Sequence, residues 1–203
     1  MTLKLSKYIE EVAASFAEPV YKTSADIWAA IEIISLIHQR FEGFCDLLLA
    51  SFMRLVVPPP APSNAPSSEQ KEKEEASRIA KQRSCLRMLT ELYLVGIAED
   101  GDKQFIPTIL AELFTKDKTQ HSNLPICVNF AKFYGPCFLD TKKIGGDVDA
   151  DVDSKSDNVP LDVRANVAKF MEGYFDSVKK HLLFDHQASH VNTEVEEDGE
   201  VNR

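Results

Sequence analysis

VRANVAKFMEGYFDSVKKHL, residues 163–182, carries Val163, Val167, Phe170, Met171, Tyr174, Phe175, Val178 and Leu182 at steps of three and four. That spacing is the apolar stripe of an amphipathic helix, and it is the longest clean one in the 203 residues. Strand signals do not compete with it. Only 8 residues are glycine, about half the usual share, and hairpin-type turn dipeptides are nearly absent. The chain therefore reads as all-α.

The same spacing recurs from the first residues onward. Leu5, Tyr8, Ile9, Val12, Phe16 and Val20 predict a first helix with Ser6 as its N-cap and Pro19 near its end. Thr23 to Asp26 places a hydroxyl three residues ahead of a carboxylate, the signature of a capping box. It opens a second helix through Ile27, Ile31, Ile34 and Ile37 or His38, ending near Arg40. Phe44, Leu47, Leu48, Phe52 and Leu55 continue at helical spacing until Pro58 stops them. Short joints between three helices predict antiparallel neighbours.

Residues 69–82 alternate in charge and predict a solvated helix that runs into Leu86, Leu89, Leu92, Tyr93 and Val95. AEDGDK, residues 98–103, is the turn that follows. One shorter helix carries Phe105, Ile109, Leu110, Leu113 and Phe114. Another starts at Asn123, with Pro125 in its first turn, and carries Ile126, Val128, Phe130 and Phe133 until Gly135-Pro136 breaks it. The expected architecture is a stack of antiparallel helical hairpins in one domain, residues 3–190. Disordered linkers at 58–68 and 145–160 interrupt it, and a disordered acidic tail at 191–203 follows.

Composition bounds the function. With 44% hydrophobic and 27% charged residues the chain has a globular balance. No apolar run approaches the about 20 residues of a membrane span. The start MTLKLSKYIEE carries Lys and Glu where a signal peptide needs an apolar stretch, so an intracellular protein is expected. Cys45, Cys85, Cys127 and Cys137 form no Cys-x-x-Cys pair and read as reduced, buried thiols. The formal net charge of -9 opposes nucleic-acid binding by bulk field. Residues 145–160 hold five aspartates against Lys155, and 192–203 hold four glutamates and Asp198 against Arg203, a net of -4 in each. The remainder carries -1, so any RNA contact must come from local cations.

Catalytic and metal constellations are not legible. Asp147, Asp149, Asp151 and Asp153 mimic the start of a calcium loop, but the required Gly and Glu are replaced by Val152 and Asn158, or by Ser154 and Pro160 in the other register. His186 and His190, four apart, lack the intervening glutamate and a third ligand. No glycine-rich phosphate loop, nucleophile elbow or Cys-His signature is present, and no cofactor is implied. His38 reads as a hydrogen-bonded core or groove histidine, and Arg40 as the candidate for a buried ion pair. Two cationic groups, Arg78, Lys81, Arg83 and Arg87 and then Lys179 and Lys180 with His181, are the candidate contacts for RNA or a partner, against a solvated face as the ordinary reading.

Four segments carry a resemblance. They are Leu5 to Ile9, then His38-Gln39-Arg40-Phe41 with Phe44, then Glu91-Leu92-Tyr93 with Val95 to Ile97, and last Tyr174 to Val178 with Lys180 to Leu182, Asp185 and His186. In this order they resemble the first middle domain of the up-frameshift-two family, the regulators of nonsense transcripts. His38, Arg40, Asp185 and His186 enter as members of that structural motif. The resemblance implies a HEAT- or armadillo-like α-solenoid of the initiation factor four-gamma middle-domain type. It also implies a non-enzymatic scaffold of nonsense-mediated mRNA decay in the cytoplasm, perinuclear included. Its partners would be other decay factors and exon-junction mRNP, with RNA held weakly and neither DNA nor membrane bound. Family members are several times longer, so a fragment, a truncated product or a reduced paralogue is expected. A translation-initiation scaffold gripping an RNA helicase, an inert or competing remnant, and a small metal enzyme using His181, His186 and His190 are the alternatives.

Overall fold

The computed structural model describes residues 7–57, 68–98, 105–115, 117, 120–139 and 159–200, with side chains as far as Gln187 except those of Ser68 and Asp185. Among these residues there are seven helices and no strand: α1 Ile9–Ala17, α2 Ser24–His38, α3 Phe44–Val56, α4 Ser68–Leu94, α5 Phe105–Thr115, α6 Leu124–Phe138 and α7 Leu161–Glu200. Ser6, the turn beyond Ala98, the four aspartates at 147–153 and nearly all of both linkers lie outside the described residues.

The capping box forms as the sequence predicts. Thr23 Oγ1 accepts from the Asp26 amide at 3.1 Å, and Asp26 Oδ2 accepts from the Thr23 amide at 3.1 Å. α1 begins after Tyr8, which caps it with no side-chain bond. It buries Ala13 and Ala17, whose small side chains let it lie closely on α3, and Phe16 meets Phe44 edge-on at 6.4 Å. Chain neighbours are not always the packing neighbours that short joints predicted. α1 packs chiefly on α3, because Phe44, Leu48, Phe52 and Val56 make α3 the apolar centre of this end, and α2 takes an edge position beside it.

α4 is one unbroken helix of 27 residues, about 40 Å long. From Gln82 to Leu94 only Arg83 and Arg87 escape burial, and the helix packs on α3 and α6. It ends where Gly96 takes φ +77°, letting the Ile97 and Ala98 amides fold back onto the Leu92 carbonyl at 3.0 and 3.2 Å. Val95, placed in the apolar stripe by spacing, is 41% exposed because it sits in that turn.

α7 packs on α5 and α6 through Val163, Val167, Met171, Tyr174 and Val178, so most of the opening stripe is core. Phe175 and Leu182 face outward instead. On α6 the buried residues are Ile126, Cys127, Phe130, Tyr134, Cys137 and Phe138, and the expected stripe members Val128 and Phe133 are exposed. Pro136 does not break α6, which runs to Phe138. Pro136 has no amide to offer the Lys132 carbonyl one turn back, and Lys132 is on the exposed side of the helix.

Val159, assigned to the acidic linker by composition, is buried, and its carbonyl accepts from Arg164 Nε at 3.0 Å. The α7 backbone stays helical to Glu200, through most of the segment expected to be an unstructured tail. That segment is rich in glutamate, a good helix former. All four cysteines are buried, and none is in a disulfide. A single apolar cluster joins residues from every helix.

Candidate functional site

Of the six cations of α4, the four candidates divide into two that are spent internally, Arg78 and Lys81, and two that face a groove, Arg83 and Arg87. Arg78 is half-buried. It donates to both Glu75 carboxylate oxygens, to Gln82 Oε1, and to Asn123 Oδ1 at 3.0 Å, tying α4 to the start of α6. Its hydrogen bonds hold the Glu75 carboxyl below the usual carboxylate range. Lys81 donates to the Glu18 carbonyl at the end of α1. These two were expected on a solvated face, and tertiary partners draw them in. Arg83 is exposed, and Arg87, one turn further, donates to Ser24 Oγ at 2.7 Å. The Arg87 guanidinium lies 4.7 Å from the Phe133 ring centroid.

Between them α4, α6 and the α1–α2 connection enclose a groove of about 270 Å³. Val20, Lys22, Arg83, Arg87, Asn129 and Phe133 are among its lining residues, which include no carboxylate. Beneath it Tyr134 donates to Glu91 Oε1 at 2.9 Å, and burial, with the Glu91 charge second, pushes its phenol far up. Arg87 Nε and Glu91 Oε2 are buried without partners in the same region.

Lys179 and Lys180 are exposed on α7, away from this groove. Lys179 joins Phe175, Val178, Leu182, Leu183 and His186 around an open apolar cavity of about 600 Å³. The His38 to Phe41 segment closes α2 and leads into the turn before α3. His38 is half-buried at the end of α2, with no hydrogen-bond partner among the described residues, and the Phe41 amide bonds the Ile37 carbonyl at 2.9 Å to begin the turn. Arg40 is exposed rather than in a buried ion pair, because α2 has ended and the chain has turned outward. The side chains of Asp185 and His190 lie outside the described residues. Among the described residues no group of three or more His, Cys, Asp or Glu could hold a metal ion, and no helix is long and apolar enough to cross a membrane.

A second polar cluster was not legible in the sequence. Asp117 is buried. Its Oδ1 accepts from the Ser122 amide at 2.9 Å, and its Oδ2 accepts from the Asn123 amide at 2.6 Å and the Tyr174 hydroxyl at 2.6 Å. It thus supplies the carboxylate at the positive end of α6. His121, at φ +51°, contacts Ser177 Oγ at 3.1 Å and lies 5.2 Å from the His181 ring. The only local signal was an acidic residue shortly ahead of the Asn123-Leu124-Pro125 helix start. The partners on α7 are more than fifty residues away in sequence.

The fold and its surface define an all-helical protein whose outstanding external features are a cationic groove and an apolar helix face. The chain is 32% identical over 190 residues, 91% of its length, to regulator of nonsense transcripts UPF2 of Arabidopsis thaliana, and 29% identical over 196 residues to regulator of nonsense transcripts 2 of Homo sapiens. Nonsense-mediated mRNA decay protein 2 of Saccharomyces cerevisiae is 37% identical over 114 residues, 52% of the chain. The chain is homologous to these nonsense-mediated decay factors, and it spans 15%, 14% and 10% of their respective lengths. No protein-family model matches the chain, and no solved structure does.

Proposed function

We propose that the chain is a non-enzymatic scaffold module of nonsense-mediated mRNA decay, with residues 3–190 forming a middle domain of the initiation factor four-gamma type. The carrying observation is identity to regulators of nonsense transcripts over 91% of the chain. The packing of alternate helices, α1 on α3 and α4 on α6, supports a repeat-like stack. In this reading the chain works in the cytoplasm by presenting helical surfaces to other decay factors and exon-junction mRNP. Lys179 and Lys180 offer weak RNA contacts, whereas Arg78 and Lys81 act as internal clamps.

The test is depletion followed by measurement of reporter mRNAs with premature stops. Their accumulation is expected, and unchanged levels overturn the proposal. Overexpression that stabilises the same reporters would mark the chain as a competitor instead. Recovery of a translation-initiation helicase in a direct pull-down would favour the initiation scaffold.

A further inference from the structure

We propose that the groove between α4, α6 and the α1–α2 connection is a docking site for a short acidic peptide segment with an apolar anchor residue. The inference stands apart from the decay role and rests on the charge and shape of the groove alone.

Three cations, Lys22, Arg83 and Arg87, meet at a groove whose lining holds no carboxylate. Arg87 is already positioned by Ser24 Oγ and by the Phe133 ring, so little side-chain freedom remains to be lost when it meets an anion. Arg83 precedes it by four residues on α4, a rise of about 6 Å. Carboxylates at alternate positions of an extended peptide stand about 6.6 Å apart, which matches that spacing, and Arg forks suit carboxylates bidentately. Lys22 faces them from the α1–α2 connection. Phe133 and Val20 are 47% and 43% exposed, and an anchor side chain would cover both.

An RNA strand fits less well. Three cations neutralise only about three phosphates, which supports weak and salt-labile binding. Arg87 already occupies one face of Phe133, which leaves no platform for a run of stacked bases.

The experiment titrates the full chain into a fluorescein-labelled dodecapeptide of alternating glutamates around a central Leu-Phe pair, followed by anisotropy. Saturable binding that weakens with salt is expected, with Arg83→Glu lowering affinity about tenfold or more and Phe133→Ala about fivefold. Lys179→Glu with Lys180→Glu should leave it within about twofold, because that pair lies away from the groove. Arg83 and Phe133 are exposed, and thermal melts of both variants would check that the fold is kept. The proposal is overturned if the peptide does not bind, or if Arg83→Glu changes nothing. It is equally overturned if an oligouridylate of equal charge binds as tightly and is the ligand that Arg83→Glu releases.

Discussion

α4 begins in solvent and sinks into the core, whereas α7 begins in the core and runs out of it. Their exposed turns differ in chemistry. The outer part of α4 carries alternating charges, with Lys73 donating to Glu69 at 2.8 Å. The emerging part of α7 carries Leu182, Leu183 and Phe184 at 61%, 55% and 69% exposure. Water solvates the first at no cost, while each apolar side chain of the second forgoes more than half of the roughly 1.5–3 kcal/mol that full burial supplies. An exposed helix is thus not one kind of surface. The α4 extension is complete as it stands, and the α7 extension is covered by nothing among the described residues.

The largest contrast should appear in truncation. Leu92→Ala on the buried part of α4 is expected to cost about 3 kcal/mol in urea unfolding, and Leu183→Ala on α7 less than about 0.5 kcal/mol. A loss above about 1.5 kcal/mol at Leu183 would break the comparison by showing that this face is covered in solution.

Next comes alkali. Burial pushes the Cys85 thiol of α4 from 9.0 to about 11, and the Tyr174 phenol of α7 well above its usual value, with hydrogen bonding to Asp117 second. Both pKa values are raised in the fold, so their stabilisation is complete below the unfolded values and is lost as pH rises. Stability should fall from about pH 9 and more steeply above pH 10, by up to about 1.4 kcal/mol per pH unit for each group. Urea titrations at successive pH values would show it. Cys85→Ala should flatten the early part of the slope, and Tyr174→Phe the later part.

A smaller effect separates the two ends of α4. Arg78→Ala removes the bonds to Glu75, Gln82 and Asn123 and should cost about 1 kcal/mol, part of it offset because water reaches the site. Smallest is Lys73→Ala, which should change the urea midpoint by less than the equivalent of about 0.5 kcal/mol. If these two costs were equal, the division of α4 into a solvated and a docked part would fail.

Features fixed by neighbours in sequence were legible and those fixed across the fold were not. The Thr23–Asp26 capping box, the reach of α3 to the prolines and the stripe on α7 each follow from side chains three or four residues apart. The inward turn of Arg78 and Lys81 does not, since their partners Asn123 and Glu18 lie 45 and 63 residues away. Spacing also misjudged α6, where Phe133 and Tyr134 are adjacent aromatics and only the packed neighbours decide which is core. Asp117 escaped notice because a loop aspartate declares its role only when Tyr174 arrives. Of the candidate contacts, Arg83 was legible as an exposed cation, but its companions Lys22 and Phe133 come from other elements.

The buried sulfurs have a practical corollary. Cys45 lies on α3, Cys85 on α4, and Cys127 and Cys137 on α6, so the thiols sample three helices separately. Each is shielded from alkylating reagents until its surroundings open, and the modification rate of each sulfur therefore counts openings. Mass spectrometry of a timed alkylation would tell whether α3, α4 and α6 open together or apart, with no label introduced by engineering.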